Sequence, residues 1–293
     1  MSSSDTDGKR NVGTYFHGVI RRMSRVPLTS WLGIVVIAMY VLVALFAPLI
    51  APYGEFEVVS QRPFEPWSEQ FIFGTDQLGR DVLSRLIFGA RNTIGIAFVA
   101  TSLTFLIGGT VGITAAVVGG VVDQAISRVV DAVMSIPDLV FILMLLAIAG
   151  PGATNLVIII AVIGATRVYR LSRAAAHNVV SLEFVEAARA RGETLPWVVT
   201  QEIQPNILPV LISDFGMRFC FVFLAIAGLS FLGVGLQPPT AEWGSMVRES
   251  AALISAGDIT PLIPATAIGL LTIAVNFVGD WILNETSGLS DGR

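Results

Sequence analysis

The chain has 293 residues, 54% of them hydrophobic and 14% charged, against about 25% charged in an average soluble domain. That balance, with a mean hydropathy of +0.74, excludes a disordered chain, a coiled coil and an ordinary cytosolic enzyme, and it points to a polytopic membrane protein. A net charge of −4 is too small to imply a nucleic-acid partner, and the single cysteine, Cys220, excludes a disulfide framework and any Cys-based zinc site.

A bilayer core of about 30 Å needs about 20 apolar residues in a helix. Residues 1–29 form a polar N-terminal tail, and the first uncharged run is 31–51. Arg21, Arg22 and Arg25 before it mimic a signal peptide. The run is 21 residues long, however, where a signal core has about 7–15. Pro48 and Pro52 crowd the place of cleavage, so an uncleaved first helix within 30–51 is expected. The second run is 92–122. The third, 139–166, is interrupted by the turn signal Pro151-Gly152 and splits into helices at about 129–150 and 154–172. The fifth span begins near Ile207 and takes in the uncharged run 219–241, and the sixth is 259–279. The expectation is an all-α protein of six transmembrane helices.

Lys and Arg in the loops set orientation. With the N-terminus inside, the inner segments hold twelve: Lys9, Arg10, Arg21, Arg22, Arg25, Arg128, Arg167, Arg170, Arg173, Arg189, Arg191 and Arg293. The outer segments hold five: Arg62, Arg80, Arg85, Arg91 and Arg248. Both termini are therefore expected in the cytoplasm. In the outer segment 52–91, Asp76, Arg80, Asp81, Arg85 and Arg91 alternate with apolar residues at helical spacing, which predicts a helix lying at the outer interface and serving as scaffold. Arg167, Arg170, Arg173 and His177 make a basic stripe under the fourth span, suited to anionic headgroups.

The inner loop reads SLEFVEAARARGETLPW over residues 181–197. Ser181 is placed to cap a helix, and Glu183 suits its first turn. Gly192 suits the left-handed residue that ends it. Thr194 then caps a second short helix with Pro196 in its first turn, and Pro205 ends that helix. Ala187, Ala188 and Ala190 leave a low-relief surface that another protein could approach closely; the alternative is an amphipathic helix lying on the membrane or on the chain's own bundle.

Glu186-Ala187-Ala188, three residues, then Gly192, followed ten residues on by Ile203-Gln204-Pro205-Asn206, resembles the EAA loop of ABC-importer permeases, with Gln204 replacing the usual leucine. Residues 73–91 (FGTDQLGRDVLSRLIFGAR) resemble the segment before the second span of peptide-type importer permeases. Residues 228–246 (GLSFLGVGLQPPTAEWGSM) resemble the block after their fifth span. The likeness covers roughly 30–285 and is nearest the C-type permease of dipeptide, oligopeptide and nickel importers. The C-terminal tail, 286–293, departs from it: Ser290-Asp-Gly-Arg293 stands where the family often has Asp-Pro-Arg.

The resemblance implies a permease core over 92–285 in a bacterial inner membrane, with the EAA loop at 181–206. It implies a second homologous permease, two ATP-binding subunits docked on the EAA loops, and an extracytoplasmic solute-binding protein. Glu186, Ala187, Ala188 and Gly192 would couple to the ATP-binding subunits. It leaves the cargo open among dipeptides, longer peptides, glutathione-like compounds, opines and nickel chelates.

The chain itself is not expected to be an enzyme or to carry a cofactor. A P-loop needs a lysine after its glycines, and the one lysine, Lys9, is followed by Arg10 and Asn11. Ser230, in a Gly-Leu-Ser-Phe-Leu-Gly run, lacks a base on its side of the membrane, because the only histidines are His17 and His177. The rival reading is an ion-coupled secondary transporter needing no ATP-binding subunit. Its candidate residues are Asp131, Asp138, Asp214, Arg218 and Asp280. Asp214 and Arg218, spaced i,i+4, are either a structural pair or part of a pathway.

Overall fold

The computed structural model describes residues 27–286. Lys9, His17, the arginines at 10, 21, 22, 25 and 293, and the tail from residue 287 lie outside the described residues.

Helix α1 (Leu28–Leu45) is followed by a single helical turn, Ala47–Ile50. Helix α2 (Val82–Val118) runs unbroken for 37 residues and stops at Gly119, φ +65°. Helices α3 (Gly120–Met134) and α4 (Asp138–Ala149) are bent against each other by 88°. Helix α5 (Ala153–Val180) follows, then the short α6 (Glu183–Ala190). A turn at Leu195–Trp197 and a π-helical stretch at Val198–Ile203 lead into α7 (Gln204–Phe231). Helix α8 (Trp243–Ser250) comes next, and α9 (Leu262–Thr286) ends the described chain. Among the described residues five helices are long and apolar enough to cross a membrane, and the bent α3–α4 pair makes up to six.

The centre is the pairing of α2 with α5. Small residues let the two backbones touch, as they do in helix pairs without a hydrophobic driving force. A Cβ on Gly112 would stand 2.6 Å from the Tyr169 carbonyl oxygen, and one on Gly108 would meet the Ala165 carbonyl. Ser172 Oγ–H donates to the Gly108 carbonyl at 3.1 Å. Helix α1 lies on α9 by the same means: Gly33 faces the Ala274 carbonyl, and the Tyr40 hydroxyl donates to the Ala267 carbonyl at 3.1 Å. The outward face of α1, with Leu32, Val35, Met39 and Leu42, is apolar and exposed, as a lipid-facing surface requires.

Three expectations are corrected. The span at 129–150 is not one straight helix: Pro137 interrupts it, leaving α4 at 12 residues, about 18 Å long. The outer helix over 76–91 does not lie at the interface. Its ordered part starts at Val82, capped by Asp81, whose carboxylate accepts from the Ser84 N–H at 2.7 Å, and it is simply the first turns of α2. Pro205 does not end a helix. The chain passes through it as one helical path, Leu195–Phe231, because the preceding π-turn widens the backbone where the proline ring would otherwise clash.

Candidate functional site

Helix α6 is short and fixed at both ends. Ser181 does not cap it. Ser181 closes α5 instead, its hydroxyl turned back to the Asn178 carbonyl, and Leu182 holds the N-cap position. At the other end Gly192 has φ +83°. Its N–H donates to the Arg189 carbonyl at 2.9 Å, and the Glu193 N–H donates to the Ala188 carbonyl at 3.2 Å. These are the two bonds of a Schellman closure.

Four residues of α6 divide by face. Val185 and Ala188 are fully buried, packed with Ile113, Val117, Ile203 and Ile207. Glu186 and Ala187 are exposed. Ala188 therefore leaves the expected docking surface: its small size lets α6 sit close on its own bundle. Arg189 Nη2 donates to the Val117 carbonyl at 3.1 Å, tying α6 to the end of α2. The Arg191 guanidinium sits 5.8 Å over the Trp197 ring and pairs with Glu193 at 3.6 Å, which ties the Gly192 turn to the path that becomes α7.

Above the loop, the basic stripe meets acids. Arg167 pairs with Asp138 at 2.7 Å, Arg170 with Asp131 at 2.6 Å, and Arg173 with Asp123, to which His177 also approaches at 3.6 Å. The stripe is not a row of free charges awaiting headgroups, because α3 and α4 fold back to present one aspartate to each arginine. Asp214 and Arg218 do pair on one face of α7, Nε donating to Oδ2 at 2.8 Å. Asp280 is exposed near the C-terminal end of α9. An unpaired charge at mid-bilayer costs about 2.5–3.5 kcal/mol on insertion scales, so pairing is what makes these groups tolerable.

A polar network joins residues 55–92 to residues 239–249. Arg80 and Arg85 are 2% and 1% exposed, and they share Asp76, Glu249 and the Pro239 carbonyl. The Glu55 carboxylate accepts from Asn92 at 2.9 Å and from the Ala241 N–H at 2.7 Å. Glu242 is wholly buried and caps α8, accepting the Ser245 N–H at 2.8 Å. Burial pushes the carboxyls of Glu242 and Glu249 above their ordinary range. Ser230 is buried beside this network and accepts the Leu236 N–H at 3.3 Å.

A family model described as "Binding-protein-dependent transport system inner membrane component" matches residues 108–284. The chain belongs to this family. A second model, the N-terminal TM domain of oligopeptide transport permease C, matches residues 14–65. Among relatives, the dipeptide transport system permease protein DppC of Alkalihalophilus pseudofirmus is 32% identical, over 85% of this chain and 82% of its own length. The di/tripeptide transport system permease protein DppC of Pseudomonas aeruginosa is 34% identical, over 85% and 84%. The peptide transport system permease protein SapC of Salmonella typhimurium is 34% identical, over 82% and 83%. The solved inward-facing MetNI methionine ABC transporter aligns with a TM-score of 0.55 at 20% identity, covering 69% of this chain and 95% of that one, which is a likeness of fold.

As a binding-protein-dependent permease, the chain is a multi-pass inner-membrane protein of a transport family rather than an enzyme. The matched region holds α6, Gly192 and the Asp214–Arg218 pair together. Sequence reasoning missed the three arginine–aspartate partnerships. The aspartates were visible at 123, 131 and 138, but their partners lie 29–50 residues away across a bend. It also missed Gly108 and Gly112, whose spacing of four on an apolar helix is a readable sign of close helix approach.

Proposed function

We propose that this chain is the permease subunit of an ATP-driven importer of short peptides or related small solutes, forming half of the translocation pathway. Its names among relatives are dipeptide, di/tripeptide and peptide permeases. In this reading a second homologous permease completes the pathway, two ATP-binding subunits hydrolyse ATP on the cytoplasmic side, and an extracytoplasmic binding protein delivers the cargo. The chain carries no cofactor. Both termini and the loop 181–206 face the cytoplasm, in keeping with the larger share of Lys and Arg expected on that side even without Arg167.

The observation that carries the reading is the build of α6. It offers Glu186 and Ala187 outward, hides Val185 and Ala188, and is fastened through Arg189 to α2 and through Arg191 to the path of α7. A helix lying on lipid has no need of such fastening. A coupling helix must pass a push from a docked subunit into the spans, and two attachments provide the route. Gly192 sets the turn between them. Asp214 and Arg218 stand farther up that route, within the pathway.

The test is co-expression with the partner permease, ATP-binding subunits and binding protein that this reading requires, followed by purification, ATPase and uptake assays. Glu186→Lys is expected to insert and accumulate normally but to lose bound ATP-binding subunits or their stimulation. Uptake that continues without any ATP-binding subunit would overturn the reading in favour of ion coupling. So would saturable ATP binding by the chain alone.

A further inference from the structure

Three charged side chains converge on one small chamber inside the helical bundle. A cavity of about 90 Å³ is lined by Asp138 at the start of α4, Arg167 on α5 and Arg218 on α7, with Thr104 of α2 beside them. At 1.5 Å per residue, these three charges lie about 17, 21 and 20 Å along their helices from the ends at Ala149, Ala153 and Phe231. Those similar distances set all three at one level of the bundle, and with those ends taken as the membrane boundary that level lies within a core of about 30 Å.

The arginines are only partly used. Arg218 gives one hydrogen bond, from Nε to Asp214 Oδ2, and Arg167 makes one ion pair, from Nη1 to Asp138 Oδ2. Among the described residues neither side chain makes another hydrogen bond or ion pair. A guanidinium has five N–H donors in a planar fork. Both forks therefore hold unspent donors against the same cavity. The Arg167 side chain is 44% exposed and that of Arg218 is 23% exposed. Ionisable groups at this depth face a bundle interior or a water-filled cavity, not lipid. Part of that exposure faces the cavity that both side chains line.

We propose that this chamber is a transit site for the free carboxylate of a short peptide, held by Arg167 and Arg218. The proposal rests on the peptide-importer reading above and adds its contact residues. A carboxylate fits a guanidinium fork with two parallel hydrogen bonds. The carboxylate is also the group that every unmodified peptide shares, so the grip ignores side chains. Between cargoes, Asp138 and Asp214 occupy the arginines and keep the chamber neutral. An arriving carboxylate exchanges with them instead of binding to bare charge, so its release needs no separate force. A conduit requires this, since a site must be favourable enough to enter and weak enough to leave. The peptide's ammonium meets the displaced aspartates.

The experiment uses the complete transporter in ATP-loaded proteoliposomes with its binding protein. The probe is an equimolar mixture of unmodified di-, tri- and pentapeptides, read by mass spectrometry. Arg167→Gln and Arg218→Gln are each expected to lower uptake at least tenfold while ATPase stimulation by the loaded binding protein stays within twofold of wild type. The paired Asp214→Asn, Arg218→Gln variant leaves no lone charge and is expected to fail in uptake as the single variant does. Restored uptake in the paired variant would show a merely structural ion pair and overturn the proposal. Unchanged uptake in both single variants overturns it as well, and so does a parallel loss of ATPase and uptake in the paired variant. If the wild-type complex takes up no peptide with ATP, the peptide-importer reading falls, and the proposal falls with it.

Discussion

Gly192 offers the sharpest test of the coupling loop. Its φ of +83° lies in the left-handed region, and a Cβ built there meets nothing within 4 Å. A side chain at this position therefore costs backbone strain alone, with no steric term to confuse the reading. That strain is about 1–2 kcal/mol for an ordinary L-residue, with a β-branched one at the upper end. At about 1.4 kcal/mol per tenfold, Gly192→Val should lower the population with α6 correctly seated by roughly 5- to 30-fold. The loss is too small and too local to unfold the spans, so membrane accumulation is expected to stay normal. Asparagine visits the left-handed region readily, so Gly192→Asn should lose far less. The assay is binding-protein-stimulated ATPase of the assembled complex, with the ratio of co-purified ATP-binding subunits measured alongside. Wild-type stimulation and assembly in Gly192→Val would refute the reasoning, as would equal damage from the asparagine and valine variants.

Gly112→Val must push against the Tyr169 carbonyl and should part α2 from α5 at a cost of about 1–3 kcal/mol, seen as a lower melting temperature in detergent; an unchanged value would contradict the close approach. Arg173→Gln leaves Asp123, only 8% exposed, without its guanidinium. Because Arg173 is itself a third exposed, the loss should be about 1–3 kcal/mol, below the 3–5 of a fully buried pair, and adding Asp123→Asn should recover part of it in a melting cycle. Burial raises the Glu242 carboxyl above its unfolded value, so its contribution to stability is present at low pH and lost as pH rises through the raised value. Glu242→Gln keeps an acceptor for the Ser245 N–H and lacks that loss, so its melting temperature relative to wild type should rise between pH 5 and pH 8.

What the sequence made legible is the part governed by short-range rules. Apolar run length gave the spans, because the bilayer imposes one length on every helix. The Gly192 turn was legible because a left-handed residue after a helix is a local requirement that glycine meets best. The i,i+4 spacing of Asp214 and Arg218 was legible because one helix face brings such residues together. What escaped depends on where distant segments meet. Val185 and Ala188 face inward, and Glu186 and Ala187 outward, only because α6 rests on Ile203 and Ile207. Arg80 and Arg85 read as an interfacial stripe because sequence periodicity cannot tell a lipid headgroup from Glu249, which lies more than 160 residues away. Pro205 read as a stop because a proline's usual effect is local, whereas the π-turn before it is an accommodation made by the whole path.

The helical path Leu195–Phe231 bears directly on how the loop and the chamber work together. Its 37 residues span about 55 Å, and a bilayer core takes about 30 Å, so about 25 Å remains toward the loop that holds α6. One end packs against α6 through Ile203 and Ile207. About ten residues farther on, the same helix carries Arg218 to the chamber wall. A displacement of α6 is thereby applied to the element that carries the arginine, with no flexible loop between them. The points of give along it are the π-turn at Val198–Ile203 and the prolines at 205 and 209, all below Asp214 and Arg218. A tilt at those points would swing the upper part of α7 as a unit against α5, which the pairs on Asp123, Asp131 and Asp138 hold to the bent α3–α4 arm. The chamber sits on the seam between the swinging helix and the held one, with Arg218 on one wall and Arg167 on the other. Changing the distance between those two guanidinium groups changes whether one carboxylate can meet both. Closure driven from the cytoplasmic side would in this way alter affinity inside the membrane, without any part of the nucleotide chemistry reaching this chain.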